Sequence, residues 1–248
     1  MPRSARATAL SNTFRKHDPN APTDFFAVEA AGLDWLREAR AVAVPTVISV
    51  GVDHIELERI GRGQWTSAID ERFGRQLAAL HRAGAESFGG SHGAYIGPLA
   101  MPNHDADAWP AFYVEQRIEP FLHGVPAEAR RPIEQVIARV DDLAGPAEPP
   151  ARIHGDLWRG NVLADEGGTP WVIDPAAHGG HRETDLAMLR LFGGFGERCF
   201  AAYDESFPLA DGWGDRVALH QLHPLLVHCV LFGGGYVDQT LAAARCYA

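Results

Sequence analysis

Hydrophobic and polar residues follow two different periods in the first quarter of the chain. Over residues 23–40 apolar side chains recur every three or four positions, which predicts an amphipathic helix with Thr23 as its N-cap. Over Val47–Val50 and residues 54–60 the period shortens to two, and the turn residues between them predict a β-hairpin. A short apolar and basic segment, residues 13–16, precedes the helix. We therefore expect a small front part that combines strands with one helix.

The helical period dominates the rest of the chain. Apolar residues keep this spacing in five further stretches, at 66–82, 109–117, 133–143, 196–206 and 215–232. Residues 84–109 are rich in Gly, His, Pro and Asn and predict a loop. Short β-rich runs stand at 152–154, 162–164 and 171–173, the last two flanking a turn as a hairpin. Asp185 is placed to cap a helix that runs to Phe192.

These patterns predict an α+β fold with two lobes. The front lobe would comprise residues 1–61, and the larger, mainly helical lobe would comprise residues 62–248. Gly61 and Gly63 punctuate the chain between them and would form the hinge. A chain of 248 residues is long enough to bury a substantial core in this arrangement.

Composition narrows the classes of partner. The formal charge of −10 argues against a general nucleic-acid binder, which needs clustered Lys and Arg, but permits a nucleotide held through magnesium. Three widely spaced cysteines without a C-x-x-C favour neither a disulfide framework nor a zinc site. We find no apolar leader and no apolar run of membrane-spanning length, so we expect a cytoplasmic protein without a membrane partner.

Candidate chemistry concentrates in HGDLWRGNVL, residues 154–163, followed by IDP at 173–175. Asp156 stands five residues before Asn161, and Asp174 follows after the short hairpin. Each alone is typical of a turn or a cap. Together they provide one carboxylate to accept the proton of an acceptor hydroxyl and an amide–carboxylate oxygen pair to hold magnesium, as phosphoryl transfer requires. Near the front, Lys16 and Glu29 could form the ion pair that positions nucleotide phosphates.

Other motifs favour less specific interpretations. His178-x-x-His181, with His154 nearby, invites a metal hypothesis, but no Cys joins it and no H-E-x-x-H is present. We expect structural or substrate-contact histidines. The glycine runs at 193–196 and 233–235 lack a following Lys-Ser/Thr, so they favour helix ends over phosphate cradles. The serine-hydrolase motif G-x-S-x-G is absent.

From about Phe14 to Tyr236 the chain resembles the fructosamine kinase (ketosamine kinase) family. The resemblance rests on HGDLWRGNVL, IDPAAHGGHRETDLAMLRLFGGF, PLADGW, HQLHPLLVH, LFGGGY, FFAVEAAGLDWL and FGRQLAALH. The broader group of aminoglycoside and choline phosphotransferases shares the H-G-D and I-D parts. It does not share the Leu-Trp dipeptide or the GHRETDLAM run.

The resemblance implies a two-lobed, protein-kinase-like fold and an ATP- and Mg²⁺-dependent kinase. Its acceptors would be ketosamines, such as fructosamine and ribulosamine adducts of lysine, phosphorylated on the third sugar carbon. The product is unstable and releases the free amine, which repairs glycation. By position, the resemblance implies the catalytic base Asp156, the metal ligands Asn161 and Asp174, the nucleotide-binding Lys16 and its helix partner Glu29.

The resemblance also assigns Glu58 to Ile60 as the hinge whose backbone would bond adenine. Trp158 offers an indole face for a sugar ring or a lysine stem. We expect His154 and Arg159 as further substrate contacts, although Arg159 stands where a small residue is usual and could instead point to solvent. Family members carry a strand and a phosphate-covering loop before the Lys strand. About thirteen residues precede it here, so we expect a shortened loop or a start further upstream.

Two alternatives remain open on the sequence. The chain could phosphorylate another small hydroxyl compound, such as an aminoglycoside. It could also be a non-catalytic, pseudokinase-like binding protein, although Asp156, Asn161 and Asp174 are all intact.

Overall fold

A computed structural model describes residues 12–90 and 93–248. The front part is built on an antiparallel sheet of three strands in the order β1-β3-β2, namely β1 Thr13–His17, β2 Val47–Val50 and β3 His54–Glu58. This confirms the predicted β2–β3 hairpin. In the pairing of β1 with β3, Lys16 lies opposite Ile55. The expected short segment before the Lys strand lies outside the described residues.

Helix α1, Phe25–Glu38, packs its apolar face against this sheet. The helix begins later than predicted, because Asp24 and not Thr23 occupies the N-cap position. The Asp24 carboxylate does not cap the helix but accepts a hydrogen bond from the Tyr95 hydroxyl at 2.6 Å. The buried face of α1 also carries Glu29, which places a carboxylate beneath the sheet.

The larger part is mainly helical, as predicted. Its helices are α2 Ser67–Arg82, α3 Trp109–Tyr113, α4 Arg131–Ile137, α5 Val140–Leu143, α6 Glu183–Phe192, α7 Glu197–Ser206, α8 Trp213–Phe232 and α9 Gly235–Arg245. The predicted helix 109–117 turns into a π-helix, Val114–Ile118, and then a 3₁₀ helix, Glu119–Gly124. The predicted helix 133–143 divides into α4 and α5. Helix α9 was not predicted.

The described residues also form three two-stranded pairs: β4 Ala94–Ile96 with β5 Leu99–Met101, β6 Ala151–Ile153 with β9 His178–Gly180, and β7 Val162–Ala164 with β8 Pro170–Val172. The β7–β8 hairpin confirms the prediction. The β4–β5 hairpin lies in the segment 84–109 that was predicted as loop, because three-residue strands are too short to show a clear alternation. None of the described helices is long and apolar enough to cross a membrane.

The segment that contains Asp156 and Asn161 is anchored in a hydrophobic cluster to which both the front part and the larger part contribute. This cluster joins Leu33 and Ile55 of the front part to Leu77 of α2 and to Leu157 and Val162, all of which are almost completely buried. Side chains between Leu157 and Val162 are therefore held by buried neighbours on both sides. A second cluster surrounds α8. The first cluster joins residues on both sides of residue 61, whereas the second lies entirely within residues 62–248. The division into 1–61 and 62–248 stays a prediction.

Candidate active site

The segment that follows β6 makes a sharp turn at Gly155. Its φ is +81°, which is a left-handed conformation, and an added Cβ would lie 2.2 Å from the carbonyl oxygen of Ala176. A residue with a side chain would be strained and would also clash at this position. Glycine therefore allows the chain to turn closely against the segment after Asp174 and to direct Asp156 toward the same space.

Asp185 stabilises this turn by accepting hydrogen bonds from its backbone. It is fully buried, and its two carboxylate oxygens accept the backbone N–H groups of His154 at 2.8 Å and Gly155 at 2.9 Å. The ring of His81 lies 3.2 Å from the same carboxylate. Burial would raise the pKa of Asp185, but His81 and the bonded amides outweigh it and hold that pKa below its ordinary value. Asp185 therefore remains a charged acceptor that orients the catalytic turn.

This role corrects the prediction that Asp185 caps a helix. Helix α6 begins at Glu183 with Arg182 as its N-cap, so Asp185 lies within the first turn. The sequence signal was a short polar residue at a helix start, which is compatible with either position. Its partners lie about thirty residues away along the chain, and the local pattern contains no information about them.

His154 is also placed differently from the prediction of a substrate contact. Its side chain is fully buried, and Nε2 donates to the carbonyl oxygen of Ile173 at 2.9 Å. Nδ1 accepts the backbone N–H of Asp156 at 3.3 Å. Burial lowers the pKa of His154, so the ring is neutral and serves as one donor and one acceptor. His154 ties the catalytic turn to the end of the β7–β8 hairpin and does not face the cleft.

Asp156, Asn161 and Asp174 converge as the spacing predicted. The Asn161 amide nitrogen donates to a carboxylate oxygen of Asp156 at 2.9 Å and to its backbone carbonyl at 2.8 Å. These bonds use the amide nitrogen, so the Asn161 amide oxygen remains available as a ligand atom. Asp174 adopts a φ of +56°, a conformation that side-chain-bearing residues rarely take and that is concentrated at functional sites.

The donor set suits a divalent cation. An amide oxygen and a carboxylate are the hard oxygen ligands that Mg²⁺ prefers, and both residues line one cavity. Asn161 and Asp174 would therefore hold the ion. When bound, Mg²⁺ would neutralise part of the negative charge on nucleotide phosphates.

The environment of Asp156 suits a proton acceptor. Its carboxyl group is largely buried, and this burial raises its pKa to about 6. The hydrogen bond from Asn161 opposes the shift, whereas the charges of Asp174 and Asp185 add to it. A base with a pKa just below neutrality is ionised at pH 7 and still basic enough to accept a hydroxyl proton.

Lys16 connects the sheet, helix α1 and the catalytic segment. Its Nζ lies 2.5 Å from a carboxylate oxygen of Glu29 and 2.6 Å from one of Asp174. Burial alone would lower the pKa of Lys16, but the two carboxylates outweigh it and raise that pKa above its ordinary value. The ammonium therefore stays charged. The structure thus brings together the Lys–Glu pair that the sequence analysis expected.

Two cavities adjoin the Lys16–Asp174 pair. One, of about 360 Å³, is lined by Asp156, Asn161 and Trp158, and further by Phe25 and Tyr95. We call it the acceptor cavity. Phe25 and Tyr95 were not anticipated. Periodicity does not show which residue of the predicted helix α1 lines a cavity, and the β4–β5 hairpin that carries Tyr95 was predicted as loop. Their rings meet at 5.1 Å, so distant segments form one aromatic wall.

The second cavity, of about 280 Å³, is lined by Phe14, Lys16, Leu57 and the hinge residues Glu58 and Ile60. We call it the hinge cavity. The backbone N–H of Glu58 already donates to the carbonyl of Thr46 at 2.9 Å, so it takes part in the β2–β3 connection. Ile60 follows β3 and borders the same space. The hinge assignment of Glu58 and Ile60 stays a prediction.

Trp158 stands at the mouth of the acceptor cavity with 40% of its surface exposed. Its indole folds over Gly160, where an added Cβ would lie only 2.2 Å from the indole Cη2. Arg159, between them, points elsewhere. Its guanidinium stacks on Trp65 at 4.3 Å and donates to the carbonyl of Val162 at 2.5 Å. The structure does not bring Arg159 to the cleft, so the expectation of a substrate contact is not supported.

The histidines after Asp174 belong to buried networks. His178 donates from Nδ1 to the carbonyl of Ala176 at 2.7 Å. His181 and His220 lie beside Glu183, with possible ligand atoms within 4.8 Å of one another. Arg216 already holds both oxygens of Glu183, at 2.6 and 2.9 Å. This bidentate pair neutralises the carboxylate without a metal, in line with the expected structural histidines.

Comparison with known proteins agrees with this geometry. The family profile described as fructosamine kinase matches residues 5–245. A protein of Vibrio parahaemolyticus classed as a ketoamine kinase is 36% identical over 228 residues, which cover 86% of this chain and 77% of the relative. A Synechocystis protein of the same class is 38% identical over 228 residues, covering 86% and 75% of the two chains.

Comparison with solved structures points to the same family. A Thermobifida fusca protein classed as a fructosamine-3-kinase matches with a TM-score of 0.90 at 48% identity, over 95% of this chain and 85% of that one. A choline kinase of Streptococcus pneumoniae reaches a TM-score of 0.64 at 15% identity over 95% and 85%, a likeness of fold alone. The chain therefore belongs to the fructosamine kinase family and is an ATP-dependent small-molecule kinase with a two-lobed, protein-kinase-like α+β fold.

Proposed function

We propose that the protein transfers the γ-phosphoryl group of ATP to the hydroxyl on the third sugar carbon of a ketosamine. The observation that carries the proposal is that Lys16, Asp156, Asn161 and Asp174 line a single cavity whose mouth is formed by Trp158. This set combines a base, oxygen ligands, a phosphate-binding cation and a flat aromatic face. The ketoamine kinase class of the relatives supports the choice of acceptor.

Asp156 is the base in this proposal. Its carboxylate accepts the proton of the acceptor hydroxyl while the hydroxyl oxygen forms a bond to the γ-phosphorus. The bond between that phosphorus and the bridging oxygen breaks, and ADP leaves. The hydrogen bond from Asn161 fixes which carboxylate oxygen faces the acceptor.

Lys16 and the hinge cavity would orient the nucleotide. The apolar side chains of Phe14 and Leu57 offer surfaces for adenine, and the backbone of Glu58 to Ile60 lies along the same edge. Lys16 is charged and lies where the hinge cavity meets the acceptor cavity, since it lines both. Its ammonium would therefore contact phosphate oxygens between the base-binding and acceptor sides.

Trp158 would carry the acceptor. A sugar ring presents an apolar face of C–H groups, which packs well on an indole. Phosphorylation of the third carbon places a phosphate next to the sugar carbonyl. The ketosamine phosphate would enolise toward the amine-bearing carbon and eliminate inorganic phosphate, which leaves an imine. Hydrolysis of this imine by water would release the free amine and a deoxygenated dicarbonyl sugar, which is a deglycation.

The test is Mg²⁺- and ATP-dependent phosphorylation of ribulose-lysine and fructose-lysine, with the phosphorylated carbon located by NMR. Asp156→Asn should abolish transfer to the third carbon while leaving the fold intact. Asp141→Asn, an exposed carboxylate on α5, is the matched control and should behave as wild type. If Asp156→Asn retains near-full activity, the base assignment is wrong. If wild type binds ATP but phosphorylates neither adduct, the acceptor class is wrong.

A further inference from the structure

The Arg159 side chain connects the Asp156–Asn161 loop to a distant part of the fold. Arg159 begins a short 3₁₀ helix that ends at Asn161. Its guanidinium carbon lies 4.3 Å from the centre of the Trp65 ring, and its Nη1 donates to the carbonyl of Val162 at 2.5 Å. The stack holds the loop against Trp65, and the hydrogen bond holds it against the first residue of β7.

Trp65 is itself fixed by α2 and by the segment after α6. Its indole Nε1 donates to a carboxylate oxygen of the buried Asp70 at 2.8 Å. The other oxygen of Asp70 accepts the backbone N–H of Gly196 at 3.0 Å. The Trp65 ring also meets Phe73 and Phe195 edge-on, with centroids 6.1 and 5.6 Å apart. Contacts on several sides therefore make Trp65 a rigid platform for the guanidinium.

The glycine run at 193–196 packs against the stem of Arg159. Gly194 has a φ of +92°, and an added Cβ would lie 2.7 Å from Cγ and 2.9 Å from Cβ of Arg159. A residue with a side chain would be strained in this conformation and would also press on the stem. Besides ending α6 at Gly193, the run therefore leaves the space that the arginine occupies.

The chemistry of arginine suits this position. Partial burial lowers the pKa of Arg159 and the charge of Asp70 opposes that shift, but a guanidinium remains protonated near neutral pH. A cation that has lost part of its water is stabilised by the face of an indole. A flat guanidinium can stack on a ring and donate in its own plane at the same time, whereas the ammonium of lysine cannot.

We propose that Arg159 is a positioning residue, which holds the Asp156–Asn161 loop in the conformation required for phosphoryl transfer by stacking on Trp65. The inference rests on the proposed function, in which Asp156 is the base and Asn161 a metal ligand. The backbone N–H of Asn161 donates to the carbonyl of Trp158 at 2.9 Å, so the loop makes a tight turn around Arg159. Release of the guanidinium would loosen this turn and displace both groups.

The kinetic test measures kcat for ribulose-lysine at saturating ATP. Arg159→Ala and Trp65→Leu should each lower kcat about five- to thirtyfold, the range expected for one cation–aromatic contact. The double variant should lose no more than the weaker single variant, because both substitutions remove the same contact. Trp65→Phe should restore kcat, since it keeps a ring and loses the same N–H bond to Asp70 as Trp65→Leu.

Arg190→Ala is the matched control. Arg190 stacks on Trp213 at the same distance of 4.3 Å, but it lies on α6, outside the loop. The loss of a stacked arginine is common to both variants, so only Arg159→Ala should lower kcat. If Arg159→Ala does not fold, Arg159→Lys replaces it, because this variant keeps the stem and the charge but loses the flat face.

Hydrogen exchange followed by mass spectrometry gives a second measurement, which needs no acceptor. The backbone amides of residues 157–163 should exchange faster in Arg159→Ala than in the wild type and in Arg190→Ala. A merely structural stack would lower the free energy of unfolding without this local change and without loss of kcat.

Three kinetic results would overturn the inference. These are a kcat of Arg159→Ala within about twofold of wild type, an equal loss in Arg190→Ala, and additive losses in the double variant. If the wild type phosphorylates neither ribulose-lysine nor fructose-lysine, the proposed function fails and hydrogen exchange decides the inference. Faster exchange confined to residues 157–163 would then support the role of Arg159 in holding the loop, and unchanged exchange would reject it.

Discussion

Replacing Asp185 by Asn tests whether this buried carboxylate positions the catalytic turn. The two carboxylate oxygens accept the backbone N–H groups of His154 and Gly155, at 2.8 and 2.9 Å. Asn has one oxygen, so its NH₂ group must face one of these N–H donors. A buried donor without an acceptor costs about 1 to 3 kcal/mol, and the remaining bond loses the strength that a charged acceptor gives it. We expect the free energy of unfolding to fall by about 2 to 5 kcal/mol in total.

The substitution should also reduce turnover. Asp156 directly follows the two residues that Asp185 holds, and a displacement of about 1 Å at a reacting group can cost about a hundredfold in rate. We expect kcat to fall between about ten- and a hundredfold, since the carboxylate of Asp156 itself remains. The assays are urea unfolding followed by circular dichroism, and steady-state kinetics with saturating ATP.

Asp215→Asn is the control for this experiment. Asp215 is also an aspartate in the first turn of a helix, α8, but its side chain is exposed. The loss of a favourable charge near a helix N-terminus is therefore common to both variants, and the difference between them reports the bonds to the turn. Unfolding free energies of Asp185→Asn and Asp215→Asn within about 1 kcal/mol of each other, with kcat within threefold of wild type, would refute the positioning role.

Three further predictions concern the cleft. Gly160→Ala adds a methyl group that overlaps the Trp158 indole. KM for the acceptor should therefore rise several-fold while KM for ATP stays constant. Equal changes in the two KM values would contradict this prediction. Only the ionised carboxylate of Asp156 can accept a proton. The kcat/KM for the acceptor should therefore fall as the pH decreases through the Asp156 pKa of about 6. A pH profile that stays flat down to pH 5 would exclude Asp156 as the base. Lys16→Met removes the cation that we propose binds phosphate and leaves Glu29 without this ion-pair partner. It should raise KM for ATP at least tenfold with the fold retained, and an unchanged ATP dependence would reject the role.

The local pattern of the sequence was sufficient for most of the elements and for the convergence of Asp156, Asn161 and Asp174. Helical spacing predicted α1 and α2, and alternation predicted the β2–β3 and β7–β8 hairpins. The contact between Asp156 and Asn161 could be predicted because only four residues separate them and a single tight turn brings them together. These features depend on neighbours along the chain, so the order of residue types carries most of the information.

Tertiary structure decided the contacts between distant segments. Periodicity shows which face of an element is buried, but it does not show which element covers that face. Asp185 therefore looked like a helix cap although it accepts amides from the catalytic turn, and His154 looked like a substrate contact although its ring is buried. Arg159 stands beside the catalytic loop in sequence, yet its guanidinium gains more from stacking on Trp65 than from pointing into water.

The contrast between local patterns and contacts of distant segments is clearest at the acceptor cavity. The indole of Trp158 was recognisable from the catalytic motif, but the rings that extend it come from α1, β4, α6, α8 and α9, which are far apart in the chain. Read alone, none of these residues indicates a shared surface, because Tyr95 lies on a strand and Phe192, His228 and Tyr236 lie on three different helices. Only the packing of α6, α8 and α9 brings the rings of Phe192, His228 and Tyr236 into contact. Residues close in sequence thus account for the contact between Asp156 and Asn161, whereas the lining of the acceptor cavity was decided by long-range packing.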